Sequence, residues 1–270
     1  MRAEEVRRLL ASRGLAPLKS LGQHFLVAQA HVERILEALD PSPGDQVLEI
    51  GPGLGALTEA LAASGARVVA VEVDSGLYAL LEERMGEGVE LVHGDYLKLE
   101  RGSLWKEGRR KVVGNLPYYC TSDMLMAILA EPGLERAVVT VQEEYADRLR
   151  AAPGSKDYGA ITVAVAAAAA AERVERVPAS AFYPKPSVGS AVLRLKPRQD
   201  VSPAVADGRL RRVVRAAFGQ RRKRLENALA AGLGVTREDA LKLMEGAGLS
   251  PGCRAEEVPV DGYVAMAERL

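Results

Sequence analysis

The sequence between Gln46 and Asp74 has a strand–turn–helix–strand pattern. The run 47–50, apolar except for Glu49, leads into a Gly-x-Gly-x-Gly turn, and helical spacing then precedes a second apolar run that contains Glu72 near its end. This pattern is typical of a βαβ unit, in which a helix joins two parallel strands and packs on their sheet. A largely parallel sheet with flanking helices is therefore the first expectation for the fold.

The turn and the acidic residue after it also predict a ligand. Gly51 and Gly53 allow the backbone to approach a ligand closely, and Glu72 stands where a carboxylate accepts hydrogen bonds from ribose hydroxyls. These features leave open a nicotinamide dinucleotide or S-adenosylmethionine. Glu49 favours S-adenosylmethionine, because a carboxylate beside the turn suits a cationic sulfonium and amino group and opposes a pyrophosphate. A salt bridge within the fold is the alternative role for Glu49.

Further alternation of strands and helices extends the sheet. The third predicted strand, 89–93, is followed by Asp95, which is placed to accept a hydrogen bond from an adenine amino group, and by Tyr96 as its aromatic neighbour. The alanine-rich run 161–171 is predicted to be a buried helix, because alanine has the highest helix propensity. Two closing strands make the sheet mixed. The predicted fold class is α/β, a Rossmann-like mixed sheet flanked by helices.

Asn115 ends the fourth predicted strand, 111–115, and begins the segment Asn-Leu-Pro-Tyr. Asparagine occurs elsewhere in the chain only at Asn227. In open α/β sheets ligands bind beyond the carboxyl ends of the strands, so the Asn115 amide is expected to face a site. An ordinary turn built from asparagine and proline is the alternative for this segment taken alone.

The remaining part of the chain, 201–270, is predicted to be a smaller all-helical domain after a first domain, 1–200, whose residues 1–44 form a helical and irregular cover. Lys and Arg together equal Asp and Glu at 36 each, yet the run 209–224 contains eight basic residues and no acidic one. Such a run predicts contact with a phosphate backbone, with Phe218 and Gln220 placed to touch bases or backbone. A solvated helix face is the alternative.

Other features of the sequence argue against several classes of protein. Apolar runs are too short to cross a bilayer, and the N-terminal segment lacks the apolar core and cleavage site of a signal peptide. Cys120 and Cys253 are isolated, and the three histidines do not have metal-ligand spacing. We therefore expect a soluble, cytoplasmic protein without a bound metal.

Several segments together resemble the KsgA-type dimethyladenosine transferases of small-subunit ribosomal RNA. The Asn-Leu-Pro-Tyr segment, the Phe-x-Pro-x-Pro segment and the Phe-Gly-Gln-Arg-Arg-Lys run are the most specific matches. The matching segments run nearly end to end and are 22–26, 49–58, 71–74, 94–97, 114–119, 182–190 and 218–229. One departure is His24, where bacterial members of the family often carry asparagine.

The resemblance implies transfer of methyl groups from S-adenosylmethionine to N6 of two adjacent adenosines in a hairpin near the 3′ end of small-subunit ribosomal RNA, coupled to small-subunit biogenesis. In that reaction the Asn115 amide oxygen and the Leu116 carbonyl would accept the hydrogens of the adenine amino group. Pro117 fixes φ and has no N–H, which keeps that carbonyl turned toward the substrate. Tyr118 and Phe182 would stack on the two faces of the base.

The resemblance also implies a cofactor site and an RNA site. The implied cofactor residues are His24, Leu26, Glu49, Gly51, Gly53, Glu72, Asp95, Tyr96 and Asn115. The implied RNA-binding residues are Arg221, Arg222, Lys223 and Arg224. The expected partner is ribosomal RNA in an assembling small subunit. The protein is expected to be a monomer and to bind no membrane.

Four other functions remain open from the sequence. A large-subunit ribosomal RNA adenine methyltransferase has a related motif, although the loop 185–190 and the long helical C-terminal part argue against it. A DNA adenine methyltransferase usually carries two prolines before the aromatic residue, and Leu116 departs from that. A ribosome-assembly factor would depend on RNA binding more than on catalysis. In a nicotinamide dehydrogenase the Asn-Leu-Pro-Tyr segment has no role.

Overall fold

A computed structural model of the chain describes residues 2–86, 88–220 and 222–270. The chain forms two compact units, and each is made from two stretches of sequence. The first unit comprises Met1–Ala146 and Glu172–Lys196, and the second comprises Asp147–Ala171 and Pro197–Leu270. No helix in the described ranges has the length and apolar character needed to span a bilayer.

A mixed sheet is the centre of the first unit. Its strands are β2 (Asp45–Ile50), β3 (Arg67–Glu72), β4 (Val89–His93), β5 (Arg109–Asn115), β6 (Leu134–Gln142), β7 (Ala169–Val177) and β9 (Ser190–Pro197). Within the described residues these seven strands have the order β4-β3-β2-β5-β6-β9-β7. Strands β2 to β6 pair in parallel, with Ile50 opposite both Val71 and Gly114, and β9 pairs antiparallel to β6. The sheet is therefore mixed and flanked by helices, as the sequence predicts.

Two short strands form a separate pair in the first unit. β1 (Phe25–Leu26) pairs antiparallel with β8 (Phe182–Tyr183), which joins the N-terminal segment to the proline-rich loop before β9. The helices that begin in this unit are α1 (Ala3–Ser12), α2 (Gln29–Leu39), α3 (Ala56–Ala63), α4 (Ser75–Arg84), α5 (Thr121–Leu129) and α6 (Glu143–Leu149).

The helix α2 shows why these elements pack as they do. Val32, Ile35 and Leu39 recur at helical spacing, and they pack with Val47 of β2 and Val113 of β5 in one apolar cluster. Because the central strands are covered by helices, their middle parts are buried and apolar, as in residues 68–71 of β3 and residues 112–113 of β5, which is typical of parallel sheets. This packing fixes the strands whose carboxyl ends carry the candidate site.

The second unit is a helical bundle. Its helices are α7 (Ala160–Ala168), α8 (Pro203–Ala206), α9 (Arg209–Gly219), α10 (Leu225–Leu233), α11 (Arg237–Gly246) and α12 (Val260–Glu268). Its core includes Tyr158 and Val163, which lie before residue 200 in the sequence. The predicted boundary at residue 200 is therefore incomplete, because residues 147–171 pack into this core and belong to the second unit.

The alanine-rich run is a second correction to the sequence-based expectation. The run 161–171 was expected to be one helix, but α7 ends at Ala168 and β7 begins at Ala169. The strand continues to Val177 and lies beside β9 in the sheet. Hydrogen bonding along the sheet edge outweighs the local helix propensity of the three alanines at 169–171.

Candidate active site

The strand ends that were predicted to carry a site surround one cavity of the first unit. This cavity, called the larger cavity below, has a volume of about 440 Å³ and is lined in part by Gly51, Glu72, Asp95 and Asn115. Each of these residues lies at or just beyond the carboxyl end of a parallel strand. Small-molecule sites in proteins usually have volumes of roughly 300–1,000 Å³, so the larger cavity can hold a ligand of nucleoside size.

A smaller cavity, of about 60 Å³, lies beside the glycine turn and shares several residues with the larger one. Of the predicted site residues, the larger cavity is lined by His24, Gly51, Gly53, Glu72, Asp95, Tyr96, Asn115 and Pro117. The smaller cavity is lined by His24, Leu26, Glu49, Gly51, Gly53, Asn115 and Phe182. Leu116 and Tyr118 are in neither lining, although their neighbours in the chain are.

The glycine turn leaves open space where a ligand would approach. Gly51 has a φ of 71°, and a Cβ atom added there would meet no other atom within 4 Å. Gly53 has a φ of 60°, and a Cβ atom there would lie 3.0 Å from the ring of Phe25. Glycine adopts these backbone angles at no steric cost, so the turn gives access at Gly51 and close packing at Gly53.

Glu72 is held in place by hydrogen bonds from two backbone N–H groups. Its Oε2 accepts a hydrogen bond from the Gly53 N–H at 3.0 Å, and its Oε1 accepts one from the Asp74 N–H at 2.9 Å. The side chain is buried, and burial raises the pKa of the carboxyl. Each carboxylate oxygen has a further lone pair, so the fixed group can still accept hydrogen bonds from a ligand.

Glu49 is a buried carboxyl with an unsatisfied oxygen. It is 1% exposed, and no described residue makes a hydrogen bond with its Oε2. Burial raises the pKa of Glu49 to about 7 against the opposing effect of the Thr58 hydroxyl, and the charge of Glu72 acts in the same direction as burial. A buried carboxylate without a cationic partner is costly, so the site favours a positively charged group of a ligand. No salt bridge of the described residues includes Glu49, which leaves its alternative role without support.

The Asn115 amide has a defined orientation. Its Nδ2 donates a hydrogen bond of 2.8 Å to the backbone carbonyl of His24. Because a carbonyl can only accept, the NH₂ group must face His24, and Oδ1 is left as an acceptor on the other side. The His24 ring is held separately, since its Nδ1 lies 2.7 Å from the carbonyl oxygen of Pro184 and must carry the proton of that hydrogen bond.

The segment after Asn115 is braced by its own backbone and by β6. The Leu116 N–H donates to the carbonyl of Thr140 at 3.0 Å, and the Leu116 side chain is 1% exposed. The Pro117 carbonyl accepts a hydrogen bond of 2.9 Å from the Thr121 hydroxyl at the start of α5. These contacts fix the backbone conformation of the segment between β5 and α5.

The two aromatic residues predicted to stack on a base differ in exposure. Tyr118 is half-buried, its hydroxyl lies 3.2 Å from the Ser190 hydroxyl, and its ring is stacked 5.7 Å from the ring of His24. Phe182 is 3% exposed and packs in the apolar cluster of the sheet and α2. Tyr118 therefore presents far more surface than Phe182, which contributes a wall of the smaller cavity.

Asp95 and Tyr96 have separate environments although they are adjacent. The Asp95 side chain lies in the larger cavity, accepts from the Leu97 N–H at 3.0 Å and pairs with Lys98 at 3.1 Å. The Tyr96 hydroxyl donates to Glu131 at 2.7 Å, and Trp105 donates to the other oxygen of that carboxylate at 2.7 Å. Tyr96 is only 2% exposed, so its main contact is with Glu131.

Sequence reasoning missed part of the cavity lining. Tyr119 and the segment 21–23 line the larger cavity, and Thr140 lines the smaller one. The Gln23 side chain donates to Asp74 at 2.8 Å, which ties the N-terminal segment to the start of α4. The tandem tyrosines 118 and 119 were a signal for Tyr119, whereas the Gln23 contact spans 51 residues and has no local signal.

The predicted RNA-binding residues lie in the second unit. Arg222, Lys223 and Arg224 are exposed between α9 and α10, and Arg221 lies outside the described residues. Phe218 is partly exposed, and its ring packs 5.8 Å from Tyr263 and 6.4 Å from Tyr158 against the core of this unit, so its role in RNA contact stays a prediction. The helical spacing of the run turns its apolar residues inward and leaves the arginines outside.

Comparison with known proteins gives a consistent set of sequence matches. The family model described as ribosomal RNA adenine dimethylase matches residues 17–270. A Desulfitobacterium hafniense protein named ribosomal RNA small subunit methyltransferase A is 43% identical over 270 residues, which are 99% of this chain and 97% of that protein. The Moorella thermoacetica protein of the same name is 42% identical over 275 residues, covering 97% of this chain and 95% of its own.

Solved structures show the same architecture. A dimethyladenosine transferase from Plasmodium falciparum superposes with a TM-score of 0.77 at 21% identity, covering 90% of this chain and 96% of its own, which supports the fold. The 23S rRNA methyltransferase ErmE superposes with a TM-score of 0.66 at 29% identity, covering 91% of this chain and 99% of its own.

Proposed function

This chain belongs to the ribosomal RNA adenine dimethylase family, and from that premise we propose that it dimethylates N6 of two adjacent adenosines in a hairpin near the 3′ end of small-subunit ribosomal RNA. The methyl donor is S-adenosylmethionine. The observation that carries the proposal is the Asn115 amide, whose Nδ2 is bound by the His24 carbonyl and whose Oδ1 is thereby left as an acceptor beside the larger cavity.

The larger and smaller cavities fit the donor. When bound, S-adenosylmethionine supplies a methyl group activated by a sulfonium. Glu72 is fixed by two backbone N–H groups and would accept from the ribose hydroxyls, and Asp95 would accept from the adenine amino group. Glu49 has an orphaned oxygen for the cationic amino group, and Gly51 has open space beside it. His24 and Leu26 would cover the donor from the N-terminal segment.

The chain's own groups would prepare the adenine nitrogen for attack. Its lone pair is delocalised into the ring, so it is a poor nucleophile until its two hydrogens are held by acceptors. The Asn115 Oδ1 and the Leu116 carbonyl are proposed as those acceptors. They would draw the nitrogen toward a tetrahedral shape with its lone pair free. As the nitrogen gains the methyl group, S-adenosylhomocysteine would be left behind and the displaced proton of the nitrogen would pass to solvent, so no general base is required. Holding the two reacting groups together supplies most of the rate enhancement.

The base must leave its stack to reach this site, as in other enzymes that modify bases. Tyr118 is proposed to stack on the extruded adenine, which contributes about 1–3 kcal/mol. Its hydroxyl beside Ser190 and its ring beside His24 limit the directions that the ring can take. Phe182, which is 3% exposed, is proposed to stack on the other face of the base.

The exposed cations of the second unit are proposed to hold the RNA backbone. Arg222, Lys223 and Arg224, together with Arg221, would neutralise phosphates, which gives affinity and salt dependence more than sequence choice. Selection of the two adenosines would then depend on RNA folded within an assembling small subunit. We propose that the protein acts there as a monomer in the cytoplasm.

The experiment that tests this function is methyl transfer from labelled S-adenosylmethionine to three substrates in parallel. These are small ribosomal subunits without adenosine methylation, large subunits and DNA, with the products identified by mass. We expect N6,N6-dimethyladenosine from small subunits alone. Label in large subunits alone would instead indicate that this protein is a 23S rRNA methyltransferase, which is the activity in the name of ErmE. RNA binding without any label would indicate an assembly factor.

A further inference from the structure

Tyr119 has no role in the site described so far, yet it is the most exposed large hydrophobic side chain among the described residues. It is 66% exposed and directly follows the Asn-Leu-Pro-Tyr segment. A tyrosine ring held in water is unfavourable unless it meets an apolar surface. The ring lines the larger cavity, so a bound ligand is the surface that it can meet.

The surroundings of Tyr119 place it in the wall of the larger cavity. A Cβ atom on Gly22 would lie 3.9 Å from the Tyr119 Cδ1, so the ring borders the N-terminal segment. Asp95, where an adenine amino group is expected, lines the same cavity.

The backbone beneath Tyr119 is preorganised. The Pro117 carbonyl accepts a hydrogen bond from the Cys120 N–H at 3.4 Å and another from the Thr121 hydroxyl at 2.9 Å. These two bonds close a turn around residues 118 and 119 just before α5 begins. The backbone that carries the ring is thus held in place, so little backbone freedom is lost when a ligand meets the ring.

We propose that Tyr119 stacks on the purine ring of the nucleoside that binds beside Asp95, and that it is a determinant of affinity for that nucleoside. This inference rests on the proposed function and deepens it. A flat π-surface is the chemistry that such a ring recognises, and a purine could come from the methyl donor or from the RNA. Because Tyr119 and Asp95 line the same cavity, the purine of the methyl donor is favoured over a purine of the RNA.

The test uses S-adenosylhomocysteine and S-ribosylhomocysteine, which lacks the purine, in calorimetric titrations without RNA. Tyr119→Ala should weaken binding of S-adenosylhomocysteine about 5- to 100-fold, because the variant has no ring to stack on the purine. It should leave binding of S-ribosylhomocysteine unchanged, and Tyr119→Phe should bind both ligands like the wild type. Tyr78→Ala is the matched control, since it removes a partly exposed ring from α4 outside the cavity lining.

Two results would overturn the proposal. Equal affinity of Tyr119→Ala and wild type for S-adenosylhomocysteine would remove the stacking role, and a raised KM for small subunits in the same variant would assign the ring to an RNA base instead. Equal weakening of both ligands would indicate a general disturbance of the cavity. If the wild type itself binds no S-adenosylhomocysteine and transfers no methyl group, the proposed function fails, which is distinct from failure of Tyr119 alone.

Discussion

Replacing Glu49 with glutamine should change how the stability of the first unit depends on pH. The carboxyl is 1% exposed, and burial raises its pKa to about 7 from an ordinary value of 4.5. Between these two values the unfolded chain has released the proton while the folded chain retains it. The folded state then binds more protons, so the free energy of unfolding falls as the pH rises.

The size of this effect follows from the two pKa values. The gap between 4.5 and about 7 corresponds to roughly 3 kcal/mol, because one pKa unit is about 1.4 kcal/mol. The stability that comes from the protonated Glu49 is fully present at a pH below the unfolded-state pKa of 4.5. It is fully lost only at a pH above the folded-state pKa of about 7. Glutamine keeps the shape and cannot ionise. The Glu49→Gln protein should therefore become more stable than the wild type by up to roughly 3 kcal/mol as the pH rises past about 7.

Urea denaturation of both proteins without ligand, from about pH 5 to about pH 9, measures this difference. Glu33→Gln is the control, because it removes an exposed carboxyl from α2 in the same unit. A difference between Glu49→Gln and wild type that does not change with pH would refute the reasoning. A wild type that gains stability over the variant with rising pH would show that Glu49 is ionised and paired. The variant should also bind S-adenosylhomocysteine more weakly at high pH, where the Glu49 charge would attract the amino group.

Two further substitutions have expected outcomes. Replacing Arg222 and Lys223 with Glu should weaken binding of ribosomal RNA and leave cofactor affinity unchanged. The slope of log affinity against log salt concentration should fall by about 0.7–1 for each phosphate that is no longer neutralised. Lys242→Glu in α11 is the control, and equal weakening of RNA and cofactor binding would point to misfolding. Lys111→Met should destabilise the first unit by about 3 kcal/mol in urea denaturation, because Lys111 is buried 2.8 Å from the buried Asp45. The double variant with Asp45→Asn should recover part of that stability, and no recovery would show that the pair itself is not the cause.

The sheet and the strand ends could be predicted because their signals are local. The glycine turn, the apolar runs and the polar residues after them are contiguous in sequence, and the parallel arrangement alone brings Glu72, Asp95 and Asn115 to one edge. The end of the alanine-rich helix was predicted wrongly because the contact that decides it is not local in sequence. Ala169 has a strong local preference for helix, but its strand lies beside β9, which is encoded much later in the chain.

The features that could not be predicted from the sequence depend on contacts between distant segments. The orientation of Asn115 depends on a carbonyl 91 residues away, and the position of Tyr96 depends on Glu131, 35 residues away. The assignment of 147–171 to the second unit depends on a core formed with helices after residue 200. No periodicity or motif reports such pairings, because they are set by how finished elements pack.

The most direct measurement is single-turnover methyl transfer to small ribosomal subunits by Asn115→Ala, with the mono- and dimethylated adenosines resolved by mass. We expect transfer to fall by at least about 100-fold, by analogy with the removal of one positioned hydrogen-bonding group at other active sites, while RNA binding stays at the wild-type level. Asn227→Ala, which removes the other asparagine from an exposed position in α10, should transfer normally. Unchanged transfer by Asn115→Ala would contradict the proposed role of the amide as an acceptor for the adenine amino group.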